Sequence, residues 1–246
     1  WKRVTGVQTC ALPISRSSSG RRKAQHPQVR CVPGIWNKLV DELAGKVDTL
    51  LMEGTTVGQP QGPRRTEAHL EQEFVELMRS QRHMAVVFCS SHNLDRIVTI
   101  YRAAKRTGKI MVIDLHTAYT LMALRPVSKA IPQWNRDEIR VVSWDYHQDR
   151  LRRAGRSDFV EQTRPKWVEW DDMKAAPRKI VLLAKSNRYT PGQLEDECGT
   201  AIRDMSIVWS MWDGYWKEDK YMRPLCETHG VEPVHLHMGA CKDCGS

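Results

Sequence analysis

The chain has 246 residues, 41% hydrophobic and 27% charged, which is enough apolar material for a core and excludes a chain disordered throughout. Its net charge of +9 comes from the first 40 residues, which hold eight Lys or Arg and no acid; the remainder carries 30 basic and 29 acidic residues, so a broad basic face on the folded body is not supported. No apolar run approaches the ~18 residues of a membrane span, so no membrane partner is expected, and seven cysteines, odd in number and scattered, argue for a reducing, cytoplasmic setting.

Residues 1–33 have no apolar period and read as a tail. Within it, Val4 to Ile14 (VTGVQTCALPI) resembles the in-frame translation of a sequencing-library adapter, which implies a truncated reading frame. Trp36, Leu39, Val40 and Leu43 have helical spacing up to Gly45. Val47–Met52 is a short apolar strand that ends in Glu53-Gly54-Thr55-Thr56. Thr66-Glu67 opens a helix with Leu70, Phe74, Leu77 and Met78 on its apolar face. Met84–Cys89 is a continuous apolar strand of the kind covered on both faces, followed by Ser90-Ser91-His92-Asn93 and a helix bearing Ile97, Ile100, Tyr101 and Ala104 that closes at Gly108. Ile110–Leu115 is a second buried strand. Further strands are predicted at Ile139–Val142, Lys179–Leu183, Ile207–Ser210 and Val234–His237, the last after a helix around Glu218–His229. Strands alternating with helices predict a parallel sheet in an α/β layer.

Polar residues gather where these strands finish: Glu53, Ser90 to Asn93, Asp114 with His116, Ser186-Asn187 and Ser210. In an open parallel sheet, ligands bind beyond the carboxyl ends of the strands, and helix N-termini there offer free N–H groups to anions. Each such Ser, Asn or Asp is also an ordinary helix N-cap. Neither a P-loop nor a G-x-G-x-x-G is present, so a dinucleotide site has no support.

Leu50-Leu51-Met52-Glu53-Gly54-Thr55-Thr56 resembles the strand leading into the β-CASP region of metallo-β-lactamase-fold hydrolases. The resemblance continues in order through Thr66-Glu67, Val86 to Arg96, Ala104 to Lys109 with the strand to Asp114, Trp209 to Trp212 with Gly214-Tyr215, and Val234 to His237, over roughly residues 36–238. It implies a Rossmann-like, mostly parallel sheet with helices on both faces, plus short strands from an incomplete metallo-β-lactamase fold. The implied divisions are 1–33 tail, 34–56 end of the lactamase-type part, 57–230 β-CASP-like domain, and 231–246 return strand and tail. The implied activity is that of a zinc-dependent hydrolase, a nuclease acting on RNA phosphodiesters by two-metal water activation. Glu53 would assist catalysis by orienting an acid/base histidine, and Thr55, Thr56, Ser90, Ser91, Asn93 and Arg96 would line the substrate channel, Arg96 by forked donation to phosphate. The family's H-x-H-x-D-H motif has no match, and after His237 the chain reads Met238-Gly239-Ala240-Cys241 where the family has a Thr-Ser-Gly-His-Ala turn. The chain alone is therefore expected to be inactive, with zinc belonging to the intact enzyme. The alternatives are a stand-alone α/β module for a phosphorylated small molecule and a C-terminal zinc-binding interaction module.

The zinc alternative rests on Cys226-x2-His229, His235-x-His237 and Cys241-x2-Cys244, whose two-residue gaps suit tetrahedral zinc. Cys226, His229, His237, Cys241 and Cys244 are its candidate ligands. Several of the nine tryptophans, among them Trp144, Trp209 and Trp212, are candidates to stack on bases, with core packing as the ordinary alternative.

Overall fold

A computed structural model describes residues 65–126 and 128–237, together with Asp41. By internal contacts the chain divides into two units, residues 1–61 and 62–246. The described elements belong to the second unit: α1 (Glu67–Ser80), β1 (Ala85–Phe88), α2 (Leu94–Arg106), β2 (Ile110–Asp114), α3 (Leu115–Ala123), β3 (Ile139–Val142), α4 (Asp145–Arg153), α5 (Ser157–Thr163), α6 (Trp170–Ala175), β4 (Ile180–Ala184), α7 (Thr190–Cys198), β5 (Ser206–Trp209), α8 (Asp213–Lys217), α9 (Met222–His229) and β6 (Val234–His235).

The six strands form one all-parallel sheet in the order β3-β2-β4-β1-β5-β6, as the alternating pattern predicts. Every residue of β1 and β4 is buried, which explains why these strands read as unbroken apolar runs: a parallel strand covered on both faces has no solvent side to mark with polar residues. Successive side chains divide between two cores. Ala85 and Val87 pack with α1, α2, α3, α4 and α5 residues such as Phe74, Ile100, Ala118, Leu151 and Val160. Val86 and Phe88 pack with Met173, Leu194, Met222 and Leu225 of α6, α7 and α9. Helices thus cover both faces. Among the described residues no helix is long and apolar enough to cross a membrane.

Strands β1, β4 and β5 differ by single residues at their ends from the predicted Met84–Cys89, Lys179–Leu183 and Ile207–Ser210, and three other boundaries differ for a physical reason or in their pairing. The second strand stops at Asp114, because the Asp114 carboxylate accepts the Thr117 amide and starts α3 at Leu115; His116 therefore lies on a helix. The helix expected around Glu218–His229 is α9 and starts only at Met222, because Asp219 accepts from the Tyr221 and Met222 amides (3.0 and 2.6 Å) and sets its first turn; the separate short helix α8 ends before it, at Lys217. The last strand, expected over Val234–His237 as a return to a lactamase-type part, is Val234–His235 and pairs in parallel with β5 in the same sheet. The readings on residues 1–33 and 36–56 lie outside the described residues.

Candidate functional site

The carboxyl edge of the sheet is shaped by where the chain goes next. After β1 and β2 it enters α2 and α3, which pack in the first core; after β4, which lies between them, it enters α7, which packs in the second. Connections leaving neighbouring strands toward opposite faces open a crevice at that point. The crevice is framed by Asp114 at the end of β2 and Lys185 just past β4.

Asp114 is buried, and its Oδ2 meets Lys185 Nζ at 3.0 Å. Burial pushes its carboxyl upward, but Lys185, His147 and the Thr117 N–H outweigh it and hold the group below its ordinary value. Three imidazoles line up over this pair. His92 follows β1, His116 follows β2 and His147 follows β3; the ring centroids of His92 and His116 are 6.2 Å apart and those of His116 and His147 6.3 Å. His147 is buried and its Nδ1 has no hydrogen-bond partner among the described residues. Burial first, then the Lys185 and Arg150 charges, push its pKa down to about 4 against the pull of Asp114; His116 is lowered by burial, Lys185 and Arg150 in the same way. Both rings are neutral at pH 7.

Aromatic rings form the rest of this edge. Trp144, Tyr146 and Tyr189 stack in series, with centroids 5.9 and 5.2 Å apart, and Arg188 lies over Tyr189 at 4.5 Å. After β5, Trp212 and Tyr215 meet edge to face at 5.3 Å. The Trp212 indole lies against Gly214, so a side chain there would displace it. Of the five large hydrophobic side chains exposed among the described residues, Tyr189, Trp212, Tyr215 and Tyr221 all follow β4 or β5 at this edge; the fifth is Val234. Ser186 joins the two loops by donating to Asp219, which caps α9 beside Tyr221. A separate groove of about 910 Å³ beside the start of β3 is lined by Lys105, Arg125, Arg136 and Glu138, but its charges are partly paired within it, Lys105 to Glu138 at 2.6 Å.

The residues singled out by sequence reach different ends. Arg96 is not in a channel: it is 1% exposed and takes the two Glu67 carboxylate oxygens (3.2 and 3.1 Å), the Leu236 carbonyl (2.9 Å) and the Ser210 hydroxyl. The donors expected to meet a phosphate are used within the protein, joining α1, β5 and β6. Asn93 caps α2 by accepting the Arg96 amide (3.2 Å), Ser90 accepts the His92 amide (3.2 Å), and Ser91 is buried. Trp209 is core, Trp144 is nearly buried, and Trp212 is open to solvent. Glu53, Thr55, Thr56, Cys241 and Cys244 lie outside the described residues. Cys226 is buried in the second core and burial pushes its thiol up to about 11. His229 donates to Glu195 (2.8 Å) and His235 to Asp213 (2.8 Å). His237 lies past the end of β6, and burial lowers its pKa. Among the described residues no three His, Cys, Asp or Glu side chains come together to hold a metal, so Cys226, His229 and His237 do not form a site on their own. The sequence reading missed Lys185, His147 and Tyr189. Lys185 had a signal, a lone cation closing an apolar run; His147 and Tyr189 sit in stretches without one.

No family model matches the chain and no curated protein matches it.

Proposed function

We propose that this α/β unit binds single-stranded RNA along the carboxyl edge of its sheet, as the substrate-contacting part of a zinc-dependent phosphodiesterase of the metallo-β-lactamase and β-CASP type. The observation that carries the reading is the set of exposed rings. Tyr189, Trp212, Tyr215 and Tyr221 follow strands β4 and β5 at one edge, interleaved in sequence with Arg188, Lys217, Lys220 and Arg223. Bases stack on such rings without sequence preference while nearby cations meet the backbone, and each stack is worth about 1–3 kcal/mol. The ordered resemblance of residues 36–238 supplies the hydrolase part. Zinc would activate water for attack on a phosphodiester, but the described residues do not fit a metal, so their part is to bind and orient the strand. A module for a phosphorylated small molecule would use the imidazoles and Lys185 but would leave the ring edge without a role.

The test is fluorescence anisotropy of a labelled single-stranded RNA with the full chain. Binding that weakens with salt, and falls about tenfold on Trp212→Ala or Tyr189→Ala with an unchanged unfolding midpoint, supports the reading; about tenfold corresponds to one lost stack. Binding indifferent to both substitutions refutes it.

A further inference from the structure

We propose that His92, His116, His147, Lys185 and Arg150 form a phosphate-binding subsite at the carboxyl ends of β1, β2, β3 and β4, with the imidazoles as N–H donors and Lys185 as the anchored charge. It rests on the RNA reading and names where a backbone phosphate of that strand sits.

The geometry begins with the sheet order. β3, β2, β4 and β1 are consecutive neighbours, so His147, His116, Lys185 and His92 succeed one another along the crevice, with adjacent imidazole centroids 6.2 and 6.3 Å apart. Among the described residues no hydrogen bond engages any of the three rings, and the buried Nδ1 of His147 has no partner. Lys185 is fixed rather than waving: Asp114 Oδ2 holds its Nζ at 3.0 Å, while 27% of its side chain stays open. The N-termini of α2, α3 and α4 fall at the same edge, and each adds partial positive charge.

The choice of an anion over a cation follows from the same groups. The Asp114 carboxylate has one oxygen on Lys185 and the other on the Thr117 amide, so it is not presented as a ligand. Lys185, Arg150 and the neighbouring imidazole (His92 beside His116, His116 beside His147) depress both rings, against the opposing pull of Asp114. The field in the crevice is therefore positive, favourable to phosphate and unfavourable to a divalent ion.

The experiment is a titration of the full chain with inorganic phosphate, followed through the histidine ring proton signals by NMR. Phosphate should move the His116 and His147 signals and raise their titration midpoints, since binding an anion favours the protonated rings. His116→Gln should weaken phosphate binding about tenfold, the effect of one hydrogen bond to an anion. Arg150→Gln, at an exposed position, should weaken it with the unfolding midpoint unchanged. Rings that respond to zinc but not to phosphate overturn the subsite. A parallel arm measures single-stranded RNA binding. RNA bound through Trp212 with no ring response to phosphate overturns the subsite and leaves the RNA reading standing. Phosphate binding without RNA binding does the reverse, and failure of both arms removes both.

Discussion

Glu67→Ala should destabilise this fold more than Arg96→Met, although the two residues are partners in one ion pair. Arg96 is 1% exposed and the Glu67 side chain 18%; the pair is bidentate, and the Thr99 hydroxyl donates to the same carboxylate at 2.7 Å. Removing the carboxylate leaves a buried guanidinium and a buried hydroxyl without their acceptor. Breaking a buried pair from one side costs about 3–5 kcal/mol, and the partial exposure of Glu67 places this case near 3. Arg96→Met keeps the apolar stem in the core and lets Glu67 turn to water. Ser210 still donates to the Leu236 carbonyl at 2.6 Å, so the loss should be about 1–2 kcal/mol. Urea unfolding followed by Trp fluorescence measures both. An Arg96→Met loss equal to or above that of Glu67→Ala refutes the reasoning. So does an Arg96→Met chain that folds with unchanged stability but binds RNA far more weakly, because Arg96 would then be the substrate contact that its burial argues against.

The buried His147 makes stability fall with acid. Its pKa of about 4 in the fold lies below the 6.5 of the free side chain, so its contribution is complete above pH 6.5 and is lost as pH falls toward 4, about 2 kcal/mol between 6.5 and 5; urea midpoints should show this loss and His147→Gln should flatten it. Asp114, held below its ordinary 3.8, contributes stability present above that value and lost below it, so Asp114→Asn should weaken the acid transition beneath pH 4 while costing about 1–2 kcal/mol at pH 7. Cys89 and Cys226, with thiols pushed by burial up to about 12 and about 11, should resist alkylation of the native chain at pH 8 and react once urea unfolds it, as mass mapping will show.

The strands were legible because a parallel sheet covered on both faces leaves its mark as short apolar runs, and Ile139–Val142 matches to the residue. The helices α3 and α5 were harder. α3 follows β2 with no intervening turn, and α5 has only seven residues, too short for an apolar period to stand out. The misreading of Arg96 has a plain physical origin. A lone arginine one turn into a helix, beside Ser and Asn at a strand end, looks the same in sequence whether it faces a ligand or a carboxylate 29 positions away.

What separates the two cases is how the strand-end side chains are used. Asn93, Asp114, Asn187 and Asp219 each accept amides at the start of a helix, and Ser90 accepts one in the turn before α2; these oxygens are spent on orphan N–H groups that every helix must satisfy. Their presence at the edge of a parallel sheet follows from its architecture and says nothing of a ligand. One imidazole is spent in the same way, His69, whose Nδ1 accepts the Thr66 amide at the start of α1; the rings of His92, His116 and His147 make no such bond among the described residues. The row of His92, His116 and His147, and the open rings of Tyr189, Trp212, Tyr215 and Tyr221, are left once capping is subtracted. A fold that needed only its own stability would have no use for a buried His147 that makes it sensitive to acid, or for exposed aromatic surface in water. The proposed RNA binding therefore lies with those two sets of side chains rather than with the serines and asparagines that mark the edge in the sequence.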